Sequence, residues 1–151
     1  MVIFQAETLD QCLADALPHF AGHFQAACQH KDALKLHPDF ARYYLLEERG
    51  QLLIVTARDR GVLVGYASFF IDHQIHYAKT RWAESDIYWV HPDMRGQGVW
   101  GGLLQLAQSE AVLRGVKVFR VRLPRFLSAT APRLEAAGFL AGDTIYERAL
   151  I

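Results

Sequence analysis

Residues 86–104, DIYWVHPDMRGQGVWGGLL, constrain the chain more than any other stretch. An apolar, aromatic strand run ends at Val90, a His91-Pro92-Asp93 turn stops it, and Arg95-Gly96-Gln97-Gly98 leads into a helix predicted from about Gly98 to Arg114. Glycines let backbone amides turn inward without side-chain obstruction, and the helix N-terminus adds its dipole. The segment can therefore cradle a pyrophosphate, with Arg95 as a cation beside it. A lone Gly-x-Gly marks only a tight turn; here strand, turn, Arg-Gly-x-Gly-Val and the paired Leu103-Leu104 stand in register.

The rest of the chain supplies strands and helices around this segment. Val2 to Phe4 reads as a short strand, and Thr8-Leu9-Asp10-Gln11 as a capping box before a helix carrying Leu9, Leu13, Ala16 and Phe20. Pro18 falls inside that stripe and predicts two short helices instead of one. A further helix is expected from Pro38 to Gly50. Leu52 to Thr56 and Val62 to Ile71 are strand runs joined by Arg58-Asp59-Arg60-Gly61, so an antiparallel hairpin is expected. Asp72 to Ala83 reads as a polar loop and Glu84 to Val90 as the next strand. After the helix, whose apolar side carries Val99, Leu103, Leu106 and Leu113, come a strand from Val116 to Leu123, a helix from Ser128 to Ala137 stopped by Gly138, and a last strand from Thr144 to Ala149. No repeat or linker divides residues 1–151, which read as a single mixed α/β domain.

Composition excludes several classes. With 52% hydrophobic and 21% charged residues the chain can bury one proper core, which rules out a disordered or disulfide-stapled chain. Sixteen basic against sixteen acidic residues leave no global field for nucleic acid or anionic lipid. Cys12 and Cys28 lack any Cys-x-x-Cys spacing and suit a reducing compartment as small buried thiols. Without a signal peptide or an uncharged run of spanning length, a cytosolic location and no membrane partner are expected.

The strand, the Arg-Gly-Gln-Gly turn and the flanking elements from about Gln51 to Phe139 resemble the GNAT superfamily of N-acetyltransferases. The resemblance implies a mixed, mostly antiparallel sheet, splayed after its fourth strand and flanked by helices, with acetyl-CoA as co-substrate. It implies that the backbone at Tyr88, Trp89 and Val90 pairs with pantetheine. Arg95, Gly96, Gln97, Gly98, Val99, Trp100 and Gly101 would then hold the diphosphate. The His-Tyr loop before an acidic strand is similar to that of members carried by phages. Three positions depart from the family: Trp100 stands where a small residue is usual, Leu127 in place of an Asn that meets the cofactor, and Leu134 in place of a Tyr that protonates the leaving thiolate. Many members pair as homodimers, which the apolar, aromatic content here allows.

Acylation of an amine requires a neutral nitrogen, an oxyanion donor and a route for the departing proton. Glu84 and Asp86 alternate onto one strand face, and either is a candidate base, directly or through water, or else a solvated charge. His76 is a candidate proton shuttle, Tyr77 and Trp82 candidate acceptor contacts, and Tyr146 a substitute for the missing family tyrosine. Trp89 reads as core. Arg120, Arg122 and Arg125 form a cationic stripe that is either a solvated face or a site for cofactor phosphate or an acidic acceptor. His73, His76 and His91 lack a convincing metal geometry, and this chemistry needs no metal. The expected reaction is direct attack by a primary amine on acetyl-CoA; the alternative is a GNAT-fold protein of little or no activity that binds a macromolecular partner. The acceptor itself is not legible.

Overall fold

Arg60 and Gly61 both adopt positive φ, 50° and 83°, which a two-residue type I′ turn demands at both central positions. They join β2 (Leu52–Asp59) to β3 (Val62–Gln74), and this hairpin is the centre of the sheet. In the computed structural model, which describes residues 1–150, the strand order is β1-β2-β3-β4-β5, with β1 (Val2–Ala6), β4 (Tyr77–Val90) and β5 (Val116–Arg120). The first four strands are antiparallel, and β5 runs parallel to β4. A parallel neighbour needs a crossover, supplied here by α3 (Val99–Leu113). The mixed, mostly antiparallel fold expected from the sequence is borne out.

The described chain forms two compact units, one of Met1–Phe20 with Pro38–Arg122, the other of Ala21–His37 with the residues from Leu123 on. The sheet lies wholly in the first. Toward α3 the sheet presents Phe69 and Ile71, 2% and 0% exposed. Gly65 of β3 also faces α3: a Cβ there would stand 3.1 Å from Val99 and 3.2 Å from Leu103, so the missing side chain lets the helix start close against the sheet. On the opposite face α1 (Leu9–Ala27) and α2 (Phe40–Glu48) cover two apolar clusters. Leu9, Cys12, Leu52 and Ile54 pack with Tyr43, Leu46 and Phe70; Ala16, Leu63 and Tyr66 pack with Phe20, Ile87 and Trp89.

Several expectations are corrected. Pro18 does not divide the first helix; α1 runs through it, because burial of Leu9, Cys12 and Ala16 outweighs the one backbone bond that proline cannot donate. The second helix starts at Phe40 and not at Pro38, since Asp39 is its N-cap and accepts from Arg42 N at 2.9 Å. Asp72 to Ala83 is no loop: β3 and β4 pair through Asp72↔Trp82 and His73↔Arg81 up to Gln74↔Tyr77. Ladder bonds are made by backbone, so polar side chains do not prevent them. Leu113 is 81% exposed and belongs to no buried stripe. β5 ends at Arg120, short of Leu123, because its ladder with β4 stops at Glu84↔Arg120.

In the second unit a 3-10 stretch (Arg125–Thr130) precedes a short α4 (Ala131–Ala136), where one helix from Ser128 was expected, and Gly138 at φ 90° ends the region as foreseen. Thr144 to Ala149 forms no strand, as these residues pair with no edge among the described residues.

Candidate active site

The two parallel strands part beyond Glu84 and Arg120. Side chains of β4 bridge the opening: Ser85 Oγ accepts from Arg122 N at 2.8 Å, and the Tyr88 hydroxyl donates to Arg122 O at 2.7 Å. Burial pushes the Tyr88 phenol well above its ordinary value, so it stays a donor.

Backbone direction at this opening follows from the other neighbour. His91 N donates to Val64 O at 2.9 Å, and the same register pairs Tyr66 with Trp89. Bonded and non-bonded pairs alternate in an antiparallel ladder, so Trp89 turns its N–H and C=O to β3 while Tyr88 and Val90 turn theirs toward the opening. The expectation for Trp89 is corrected accordingly: its backbone is committed to β3, and its ring stacks on His19 at 4.1 Å and Tyr66 at 5.5 Å. Val90 O also accepts from Arg95 Nε at 3.3 Å, which draws that side chain back toward β4.

The glycine turn sits at the end of the same edge. Gly96 and Gly98 have φ of 75° and 81°, and a Cβ on either would meet nothing within 4 Å. Gly98 is the N-cap of α3 and offers no side-chain capping bond, so the amides of Val99, Trp100 and Gly101 have no partner within the helix. Conformation, open space and unpartnered donors together suit a diphosphate. The Trp100 ring is turned to Tyr88, 6.1 Å away and tilted by 59°.

On the helix-covered face a bulge sets the acids. Ala67 pairs with Tyr88 and Phe69 with Ser85, so Ser68 alone opposes both Asp86 and Ile87. Asp86 Oδ2 accepts from Tyr43 of α2 at 2.5 Å and from Ser68 Oγ at 3.0 Å. The Tyr43 phenol lies far above its usual range, through burial first and then the Asp86 charge and hydrogen bond. Glu84, two residues earlier on the same face, accepts from Arg122 Nε and lies 3.8 Å from Arg120 Nη1.

Glu84 and Asp86 thus share a face, as alternation predicted, but in different settings. Tyr77 and Trp82 are stacked at 5.9 Å, with the Arg120 guanidinium 4.8 Å over the Trp82 ring. His76 is exposed in the turn between β3 and β4, ten residues from Asp86 and so roughly 30 Å along the strand. The structure does not bring these two together. Tyr146, 92% exposed, belongs to the second unit, as do Leu127 and the buried Leu134. Sequence reasoning missed Tyr43 and Ser68. Only Ser68's place in a strand hinted at a polar group on an otherwise apolar run.

A sequence model of the acetyltransferase (GNAT) family matches residues 15–127, three quarters of the chain. The chain belongs to the GNAT family of acetyltransferases. No curated protein matches this GNAT chain by sequence. Among solved structures it resembles a ribosomal-protein-alanine N-acetyltransferase from Brucella melitensis biovar Abortus 2308, with TM-score 0.73, 21% identity and 99% of both chains covered. It also resembles a predicted acetyltransferase with acetyl-CoA from Clostridium acetobutylicum, with TM-score 0.70, 14% identity and 99% and 96% of the two chains covered. An aminoglycoside acetyltransferase from an uncultured soil metagenomic sample gives TM-score 0.75 at 14% identity, covering 100% and 99%. At such identities these likenesses speak for the fold.

Proposed function

We propose that this GNAT protein moves the acetyl group of acetyl-CoA to a primary amine by direct attack, with Asp86 as the base. The observation that carries the reading is the bulge at Asp86–Ile87: it turns a carboxylate to one face of β4 beside the point where the backbone edge of Tyr88 and Val90 opens toward the glycine turn. A thioester held along that edge has a proton acceptor within two residues of it.

The chain's groups divide the work as follows. Amides 99–101 and Arg95 bind the diphosphate, and the Tyr88 and Val90 backbone aligns the pantetheine arm. Asp86, oriented by Tyr43 and Ser68, attracts the acceptor ammonium and takes its proton. That first proton passes through Asp86 to solvent; the neutral nitrogen then forms the new C–N bond, the C–S bond breaks, and the second proton shed by nitrogen goes to the departing thiolate. Glu84, engaged by two guanidinium groups, holds those arginines and does not serve as base. Cys12 is buried and its thiol is pushed up by burial to about 11, so an acetyl-cysteine intermediate has no support there. The free thiols Cys12 and Cys28 fit a reducing compartment such as the cytosol. No helix among the described residues is long and apolar enough to cross a membrane.

Isothermal titration with acetyl-CoA, followed by detection of thiol release with an amine panel, tests the reading. Binding with amine-dependent thiol release is expected. No binding at about 1 mM, weaker than −4.1 kcal/mol, overturns it. Binding without turnover of any amine favours instead a GNAT protein that only binds a partner, a reading for which the buried Leu134 speaks, at 8% exposure where the family usually carries a tyrosine.

A further inference from the structure

Glu84 is one carboxylate set against two guanidinium groups, Arg122 and Arg120. The cluster therefore carries one positive charge in excess. Arg120 and Arg122 are 39% and 59% exposed, so guanidinium donors not used by Glu84 face solvent. Neither arginine is loosely attached. Arg120 rests over Trp82, and the Arg122 backbone is gripped from β4 by Ser85 Oγ at its N–H and by the Tyr88 hydroxyl at its carbonyl. A guanidinium fork so positioned recognises a planar carboxylate with two parallel hydrogen bonds.

Asp86 lies on the same face, one alternation further along β4, about 7 Å away. A negative and a net positive centre at that spacing form a dipolar pair. We propose that the acceptor is an amino carboxylate, its ammonium directed to Asp86 and its carboxylate to Arg122 and Arg120. The claim rests on the acetyl-transfer reading and narrows it to a substrate class: a polycationic amine finds one attractive carboxylate, Asp86, beside a cluster of net positive charge, whereas an amino carboxylate satisfies both ends.

Glycine, β-alanine, γ-aminobutyrate and ε-aminocaproate, each compared with its own carboxamide, provide the test. The acid is expected to exceed its amide by about tenfold or more in kcat/KM at the best-fitting chain length, or 1.4 kcal/mol. Arg122→Gln combined with Arg120→Gln should bring the ratio close to one. Glu84→Gln, which uncovers more positive charge, should raise it. Calorimetric binding of the same pairs without acetyl-CoA tests the carboxylate claim independently of chemistry. Equal or better use of the amides, or of spermidine, overturns the proposal while leaving acetyl transfer standing. Absence of both binding and turnover for every acid at about 10 mM, beyond any useful affinity, overturns it as well.

Discussion

The hydroxyl of Tyr43 on α2 donates to Asp86 Oδ2 on β4 at 2.5 Å, and Ser68 Oγ reaches the same oxygen at 3.0 Å. Two donors on one oxygen fix the carboxylate's rotation, which is what a general base needs before an amine arrives. Asp86→Asn should lower turnover by roughly 10²–10⁴-fold while leaving acetyl-CoA affinity nearly unchanged, because a base acts in the transition state. Tyr43→Phe keeps the carboxylate and loses only its orientation, so a fall of about tenfold is expected. Steady-state kinetics beside acetyl-CoA calorimetry checks both; full turnover in Asp86→Asn removes Asp86 from the mechanism.

How far the sequence foretold this site depends on the range of the interactions. The glycine turn is local, set by residues adjacent in the chain, and its position between β4 and α3 was legible from the order of apolar run, His-Pro-Asp and glycines. Alternation likewise put Glu84 and Asp86 on one face, with Trp82 before them. Tyr43 was missed because it reaches Asp86 across 43 positions, from a helix whose apolar pattern carries no sign of the partner. The bulge, too, exists only between strands: nothing within β4 itself marks Asp86 and Ile87 as sharing one opposing residue. Where local signals were strong they sometimes lost to packing, as at Pro18, and where they were weak a partner strand supplied order, as in Asp72 to Ala83. The expected strand at Thr144 to Ala149 fails for the converse reason, since β-forming residues without an edge to join have no ladder.

Glu7 predicts the acid limit of the fold. It is buried where β1 meets α1; Arg58 donates to it at 2.7 Å and 3.0 Å, and Thr56 Oγ1 donates at 2.8 Å. Burial raises the Glu7 pKa, but hydrogen bonds from Arg58, Gln5 and Thr56 and the charge of Arg58 more than reverse this, leaving it below 4.5. A carboxylate depressed in the folded state contributes stability above its unfolded pKa, and that contribution is lost as pH falls through the folded value. Denaturant midpoints should therefore decline below about pH 4.5. Glu7→Gln should flatten this limb and cost about 1–3 kcal/mol at neutral pH, because Arg58 keeps Asp15 as a carboxylate partner but loses its charge-assisted bonds to Glu7. An unchanged acid limb in the variant refutes the assignment.

Two neighbouring glycines of α3 should respond with opposite signs. A Cβ on Gly102 would stand 2.3 Å from the Phe4 ring of β1, whereas one on Gly101 would meet nothing within 4 Å. Gly102→Ala must displace an aromatic ring or the edge strand and should destabilise by about 1–3 kcal/mol. Gly101→Ala only restricts the unfolded chain and favours helix, so a gain of about 0.5–1 kcal/mol is expected. Urea unfolding of both variants decides the matter, and equal effects would mean that Phe4 does not pack where the structure places it.

Trp100 departs most from the family pattern, and its geometry predicts the sign of its removal. No atom stands within 4 Å of where a Cβ on Gly96 or Gly98 would lie, so the indole is not packed against those positions. The ring instead faces Tyr88, whose hydroxyl bridges to Arg122 across the opening between β4 and β5. In that position it supports the Tyr88 ring. Trp100→Gly should accordingly leave acetyl-CoA affinity unchanged or weaken it by up to about tenfold, or 1.4 kcal/mol. Part of the loss would come from glycine's greater freedom in the first turn of α3, so Trp100→Ala serves as the paired variant that retains helix propensity. A tenfold gain in affinity in both variants would show that the indole blocks the channel, and would shift the choice toward a protein that binds without turning over.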